Sequence, residues 1–139
     1  MKTTVVSGGF DPLHIGHLRM LEASAKNSKL TVILNNDNWL RAKKGFVFMP
    51  QEERREILKA LRCVDDVVFS IHSENPTDMS VSRELALLKP DYFANGGDRD
   101  NVPEEGVCKE LGIQMFFGVG GEKIQSSSNL VKQCSNVLQ

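Results

Sequence analysis

Apolar runs of strand length alternate along this chain with amphipathic stretches of helix length, the pattern left by β–α units wound around a parallel sheet. A first strand is expected at 3–7, followed by a helix at about 16–26 in which Leu18, Leu21 and Ala25 share one face. Residues 30–35 are almost all apolar, as befits a strand covered on both faces. The stretch 36–49 lacks such a period and is basic, with Arg41, Lys43 and Lys44, so it reads as an irregular lid. Pro50 then opens a helix over 51–61 whose buried stripe is Ile57, Leu58 and Leu61. Further strands are expected at 65–71, 91–95 and 113–117, and helices at 77–88 (Val81, Leu85 and Leu88 in phase), 104–111 and 127–137. No repeat, linker or low-complexity tract breaks the series, so residues 1–139 read as one domain. In such a sheet, ligands bind at the carboxyl ends of the strands, where the connections diverge to opposite faces.

Composition narrows the ligand. With 139 residues, 40% of them apolar, the chain can bury a core without staples. Basic and acidic residues nearly cancel, 17 against 18, and no Lys/Arg run exceeds two, which points away from nucleic acid and toward a small soluble ligand. The opening Met1-Lys2-Thr3-Thr4-Val5-Val6 is too brief for a signal peptide, and no apolar run approaches the roughly twenty residues of a membrane span. A cytoplasmic protein without a membrane partner is therefore expected. Cys63, Cys108 and Cys134 are far apart and odd in number, and read as reduced structural thiols.

The loop after the first strand carries the strongest local signal. Gly8 and Gly9 let backbone approach a ligand, Phe10-Asp11-Pro12 turns the chain, and His14 and His17 follow around a helix start with Gly16 between them. Two imidazoles three residues apart can point the same way, beside free backbone N–H groups and the positive end of a helix dipole, which makes a socket for phosphate. Elsewhere the chemistry is less distinctive. Arg54 lies in Glu52-Glu53-Arg54-Arg55-Glu56, which alone reads equally as a solvated helix face. Asp37 follows the second strand, where a Rossmann-like fold often places an acid near a ribose. Asp11 is placed to orient a backbone amide or hold Mg²⁺, and the glycines of Gly96-Gly97-Asp98-Arg99 let a base or ribose lie against backbone. Trp39 and Phe46 read as shields of the core rather than covers for a substrate, His72 as a surface residue, and 118–121 as a loop without assigned role.

"GGFDPLHIGH" resembles the G-x-F-D-x-x-H-x-G-H motif of the cytidylyltransferase-like nucleotidyltransferases, which include glycerol-3-phosphate cytidylyltransferase and the heptose-phosphate adenylyltransferase domain. "KKGFVFMPQEERREIL" is similar to their lysine loop and E-x-R helix, "VDDVV" to the strand that follows, "LKPDYFANGGDRD" to their strand ending in G-G-D, and "EKIQSSSNL" to their closing I-S-T-T segment. Where the glycerol-phosphate enzymes carry an arginine before that segment, this chain has Gly121, with Lys123 as a replacement.

The resemblance implies a Rossmann-like, doubly wound parallel sheet of five strands in the order 3-2-1-4-5, in three α/β/α layers. It also implies transfer of CMP or AMP from CTP or ATP, with Mg²⁺, to a phosphorylated small-molecule acceptor, by a protein that forms a homodimer. In that reading His14 and His17 donate hydrogen bonds to phosphate oxygens, Lys44 reaches the β- and γ-phosphates, and Arg54 offers them a planar fork. Ser126, Ser127 and Ser128 hold the departing pyrophosphate, while Gly8, Gly9, Phe10, Asp11, Gly16, Asp37, Gly96, Gly97, Asp98 and Lys123 surround the nucleotide. A catalytically silent nucleotide sensor would use the same socket without turnover. A tRNA-charging ligase shares the H-I-G-H tetrapeptide, but this chain is short and little basic for that role.

Overall fold

The computed structural model describes residues 1–97, 102–121 and 125–138. Strands β1 (Thr3–Gly8), β2 (Lys29–Leu34), β3 (Asp66–Phe69), β4 (Tyr92–Gly96) and β5 (Gln114–Val119) form one sheet in the order β3-β2-β1-β4-β5. Every pairing is parallel. Helices α1 (Ile15–Ser24), α2 (Asp37–Lys44), α3 (Gln51–Lys59), α4 (Ser82–Leu88), α5 (Glu105–Leu111) and α6 (Ser127–Leu138) connect and follow them.

The sequence alternation explains the layers. Val6, Val32 and Leu34 point to one face of the sheet, where Leu21 of α1 and Leu58 of α3 cover them. Val5, Ile33 and Phe93 point to the other, against Leu85 of α4 and Cys108 of α5. The chain runs outward from β1 through β2 to β3 and then crosses to the far side of β1 for β4 and β5. The connections therefore change faces between β1 and β4, and the carboxyl ends of those two strands part to make a crevice. This is the Rossmann-like α/β architecture and strand order that the sequence leads one to expect.

Three expectations fail for local reasons. The stretch 36–49 is not irregular, because it contains α2: the Asn36 side chain accepts the Trp39 N–H at 3.0 Å, Gly45 closes the helix at φ +85°, and Arg41, Lys43 and Lys44 fill its last turn. Its one buried residue, Leu40, leaves no apolar stripe to read. The helix expected over 77–88 begins only at Ser82. Before it, Asp78 accepts the Ser80 N–H at 2.9 Å and the Trp39 indole donates to the Met79 carbonyl at 2.9 Å, which holds the chain in turns. Finally, His72 is not on the surface. It is 2% exposed, with Nδ1 2.8 Å from the Ser70 hydroxyl and Nε2 2.9 Å from the Ser80 carbonyl. Two helix stripes are also narrower than expected, since Ile57 and Leu88 are exposed while Leu58 and Leu85 are buried.

Candidate active site

The crevice between β1 and β4 is built from the β1–α1 loop outward. A Cβ on Gly8 would stand 3.0 Å from the Phe10 ring, so the glycine lets that ring fold beneath the loop. Phe10 is buried and meets His17 edge-on, with ring centroids 4.8 Å apart. His14 is the N-cap of α1, and its Nδ1 accepts the N–H groups of Gly16 and His17 at 3.1 and 3.4 Å. His17 Nδ1 accepts the His14 N–H in return, at 3.2 Å. The two rings stack with centroids 3.7 Å apart and planes 17° from parallel.

This reciprocal cap fixes the tautomers. A nitrogen that accepts an N–H carries no proton of its own, so both rings bear hydrogen on Nε2. Burial, then the neighbouring His14, then Lys44 lower the His17 pKa from 6.5 to about 3. The stack therefore offers N–H donors to the crevice, with His17 neutral, at the start of a helix whose dipole favours an anion.

A cavity of about 390 Å³ opens in front of the stack. Of the residues singled out in the sequence, Gly8, Phe10, His14, Gly16, His17, Lys44, Gly96, Gly97, Ser126, Ser127 and Ser128 line it. Ser126 caps the last helix by accepting the Asn129 N–H at 3.3 Å, and the Ser127 hydroxyl donates to the Pro12 carbonyl at 2.7 Å. The N-termini of α1 and α6 thus border one cavity. Asp98, Arg99 and Lys123 lie outside the described residues.

Four expected site residues line no part of the cavity. Arg54 is 1% exposed, and its guanidinium is committed to the protein. Nε donates to the Met49 carbonyl at 2.9 Å, Nη1 to the carbonyls of Gly9 and Asn35 at 2.7 Å each, and Nη2 to Asp37 at 2.6 Å. It is neither a phosphate fork nor a solvated helix residue but a buried tie among three loops. Asp37 is its ion-pair partner rather than a ribose ligand. A Cβ on Gly9 would stand 3.0 Å from the Leu40 side chain, and the Gly9 carbonyl accepts from Arg54. Asp11, 4% exposed, accepts the N–H groups of Phe48 and Met49 at 2.7 Å each, so it orients amides instead of standing ready for a metal. Among the described residues no group of three or more His, Cys, Asp or Glu side chains could hold a metal ion.

Sequence reading missed Ser7, Arg19, Met20, Val119, Gly120, Gly121 and Gln125, all of which line the cavity. Helical spacing could have found two of them, because Arg19 and Met20 follow Gly16 and His17 by three residues on α1. The glycine run after β5 carried the same signal as Gly96-Gly97. A Cβ on Gly120 would approach the Met20 Cα to 2.8 Å, and its φ of +86° is left-handed. Gly120→Ala is therefore expected to push α1 away from the β5–α6 connection, lowering stability by about 1–3 kcal/mol. Thermal denaturation checks this; an unchanged melting temperature would refute the packing.

The sequence profile of the cytidylyltransferase-like family matches residues 5–129, from β1 into the first turn of α6. The chain belongs to the cytidylyltransferase-like family. Among cytidylyltransferase-like relatives, an FAD synthase of Pyrococcus abyssi is 40% identical over 98 residues, covering 69% of this chain and 63% of that protein. The bifunctional protein HldE of Streptomyces coelicolor is 37% identical over 118 residues, 81% of this chain and 24% of that one. Both relatives are nucleotidyltransferases. The chain thus spans less than two thirds of the FAD synthase and about a quarter of HldE. A solved structure, the lipopolysaccharide core biosynthesis protein of Thermoplasma volcanium, shares the fold with a TM-score of 0.70 at 23% identity, over 88% of this chain and 99% of that one.

Proposed function

We propose that this chain transfers an adenylyl group from ATP to a phosphate oxygen of a small phosphorylated molecule. The acceptor oxygen forms a bond to the α-phosphorus, the bond from that phosphorus to the bridging oxygen breaks, and pyrophosphate leaves with the electron pair. No covalent enzyme intermediate is needed, so the protein's task is to position the reactants and to meet migrating charge. The observation that carries the reading is the stacked, capped pair of His14 and His17 at the start of α1. Two donors held in one tautomer cost no reorganisation when charge shifts onto the α-phosphate oxygens. Lys44 enters the cavity from the end of α2, and the start of α6 supplies amides and hydroxyls for the departing pyrophosphate. Magnesium, when bound, would neutralise the triphosphate through that ligand's own oxygens.

ATP is favoured over CTP because FAD is a flavin phosphate carrying an adenylyl group, and an FAD synthase is among the relatives at 40% identity. Pyrophosphate release is the test, measured with ATP and CTP and Mg²⁺ against a panel of phosphorylated acceptors. ATP-dependent release with at least one acceptor is expected. A triphosphate that raises the melting temperature yet is never consumed would favour the sensor instead; at a hundred times its Kd a ligand stabilises by about 2.7 kcal/mol.

A further inference from the structure

We propose that Arg19 of α1 is a substrate-binding cation that grips the β- and γ-phosphates of the triphosphate and holds them as they leave as pyrophosphate. This rests on the transferase reading above and adds a residue to it. Arg19 lines the cavity, and its exposed side chain has no hydrogen bond or ion pair among the described residues. Arg54, by contrast, has its guanidinium committed to the protein. Among the described residues that line the cavity, the Lys and Arg side chains are Lys44 and Arg19, and none is Asp or Glu. His17, held neutral, adds no charge. A triphosphate and a phosphorylated acceptor bring several negative charges into this space, and Arg19 is the arginine with nothing else to bind.

The fold decides which phosphates it meets. Side chains on a helix lean toward its N-terminus, so Arg19 lies over the turn that contains Gly16, about 4.5 Å along the axis toward the helix start. Gly16 puts no side chain in the way. The guanidinium is thereby directed back along the cavity wall toward the stacked histidines, from the flank on which the β5–α6 connection packs. Two contacts fix that flank. A Cβ on Gly120 would stand 3.3 Å from the Arg19 carbonyl carbon, and the Ser127 hydroxyl donates to the Pro12 carbonyl ahead of the same helix. The Arg19 side chain and the start of α6, where Ser126, Ser127 and Ser128 line the cavity, therefore share one side of it. Gly120 and Gly121 line that side without a charge of their own. A planar fork suits two phosphates that move off together, because it bonds oxygens of both and its charge stays fixed while theirs grows.

The test uses the full chain with Mg²⁺ and three probes: ATP, inorganic pyrophosphate and AMP. Each is titrated calorimetrically into the parent, Arg19→Met and Arg19→Lys. Methionine keeps the apolar stem and the helix propensity while removing the charge. Arg19→Met is expected to weaken ATP and pyrophosphate about tenfold each, to leave AMP within about twofold, and to keep the parent's melting temperature without ligand. Arg19→Lys should recover part of the loss, because charge returns without the fork. Unchanged ATP and pyrophosphate affinity in Arg19→Met overturns the proposal and, where pyrophosphate release continues, leaves the transferase reading standing. An equal loss for AMP also overturns it, since the contact then lies on the α-phosphate or the nucleoside, or the residue serves the packing of α1. A parent that binds ATP yet releases no pyrophosphate with any acceptor removes the transferase reading by itself, and weakened pyrophosphate binding in Arg19→Met then upholds the phosphate contact alone. A parent that binds neither ATP nor pyrophosphate overturns both.

Discussion

His17→Asn is expected to fold like the parent and to lose a hundredfold to a thousandfold in kcat. The asparagine carbonyl oxygen falls close to where Nδ1 sits, so it can go on accepting the His14 N–H that the imidazole accepts at 3.2 Å. It has nothing at the Nε2 position, so the donor facing the cavity is lost while the cap survives. His17→Gln makes the opposite trade: its amide nitrogen approximates Nε2, and the cap acceptor goes. The glutamine variant should therefore keep more activity and less stability than the asparagine one. Steady-state pyrophosphate release and thermal denaturation on the two variants separate these effects. If His17→Asn stays within tenfold of the parent, the ring is a cap alone and the charge-stabilising role assigned to it is wrong.

The same ring ties stability to pH with a definite sign. Its folded pKa of about 3 lies below the unfolded value of 6.5, because burial and the stacked His14 oppose the charge. Between those values the unfolded chain binds the extra proton, so this contribution is complete above pH 6.5 and shrinks as pH falls toward 3. By pH 5 the loss is on the order of 2 kcal/mol. The parent's melting temperature should therefore fall more steeply than that of His17→Asn over this window. Activity, by contrast, should show no acid limb near pH 6.5 from this ring, because its donor is the neutral form.

What was legible in the chain was what local spacing controls. The apolar runs located all five strands: β2, with Leu30, Val32, Ile33 and Leu34 buried, announces itself without reference to the rest of the chain, and the edge strand β5 kept an apolar run although most of its side chains are exposed. The histidine pair was legible for the same reason: capping, stacking and tautomer all follow from a separation of three residues around one helix start. The α2 helix was hidden because capping and dipole, not burial, hold it, and a single buried Leu40 gives no period. His72 was misjudged because its surroundings come from Ser70 and Ser80, neither of which a polar loop advertises as buried. Arg19 and Met20 were overlooked because the motif ended at His17 while the helix face that carries it continued.

Arg54 shows the limit of such reading most sharply, and its removal should be the most damaging single change in the chain. Nothing in Glu52-Glu53-Arg54-Arg55-Glu56 reveals that one of these charges is 1% exposed. Its partners lie far off in sequence: the Gly9 carbonyl is 45 residues away and the Asn35 carbonyl 19. The guanidinium joins the loop after β1, part of which lines the cavity, to the loop after β2 and the segment after α2. Arg54→Ala leaves three carbonyls and the Asp37 carboxylate without their donor and opens a void, for which about 3–5 kcal/mol of lost stability is expected. Against the about 5–15 kcal/mol that holds an ordinary domain together, that loss brings the protein near unfolding. Arg54→Lys should recover little, because a single ammonium cannot direct hydrogen bonds along the four lines that the flat guanidinium serves. Denaturant unfolding of both variants decides between the two roles this residue has been given. A phosphate-binding arginine would leave stability within about 1 kcal/mol of the parent and remove activity, whereas a buried tie lowers the unfolding midpoint first and takes activity down only as the three loops come apart.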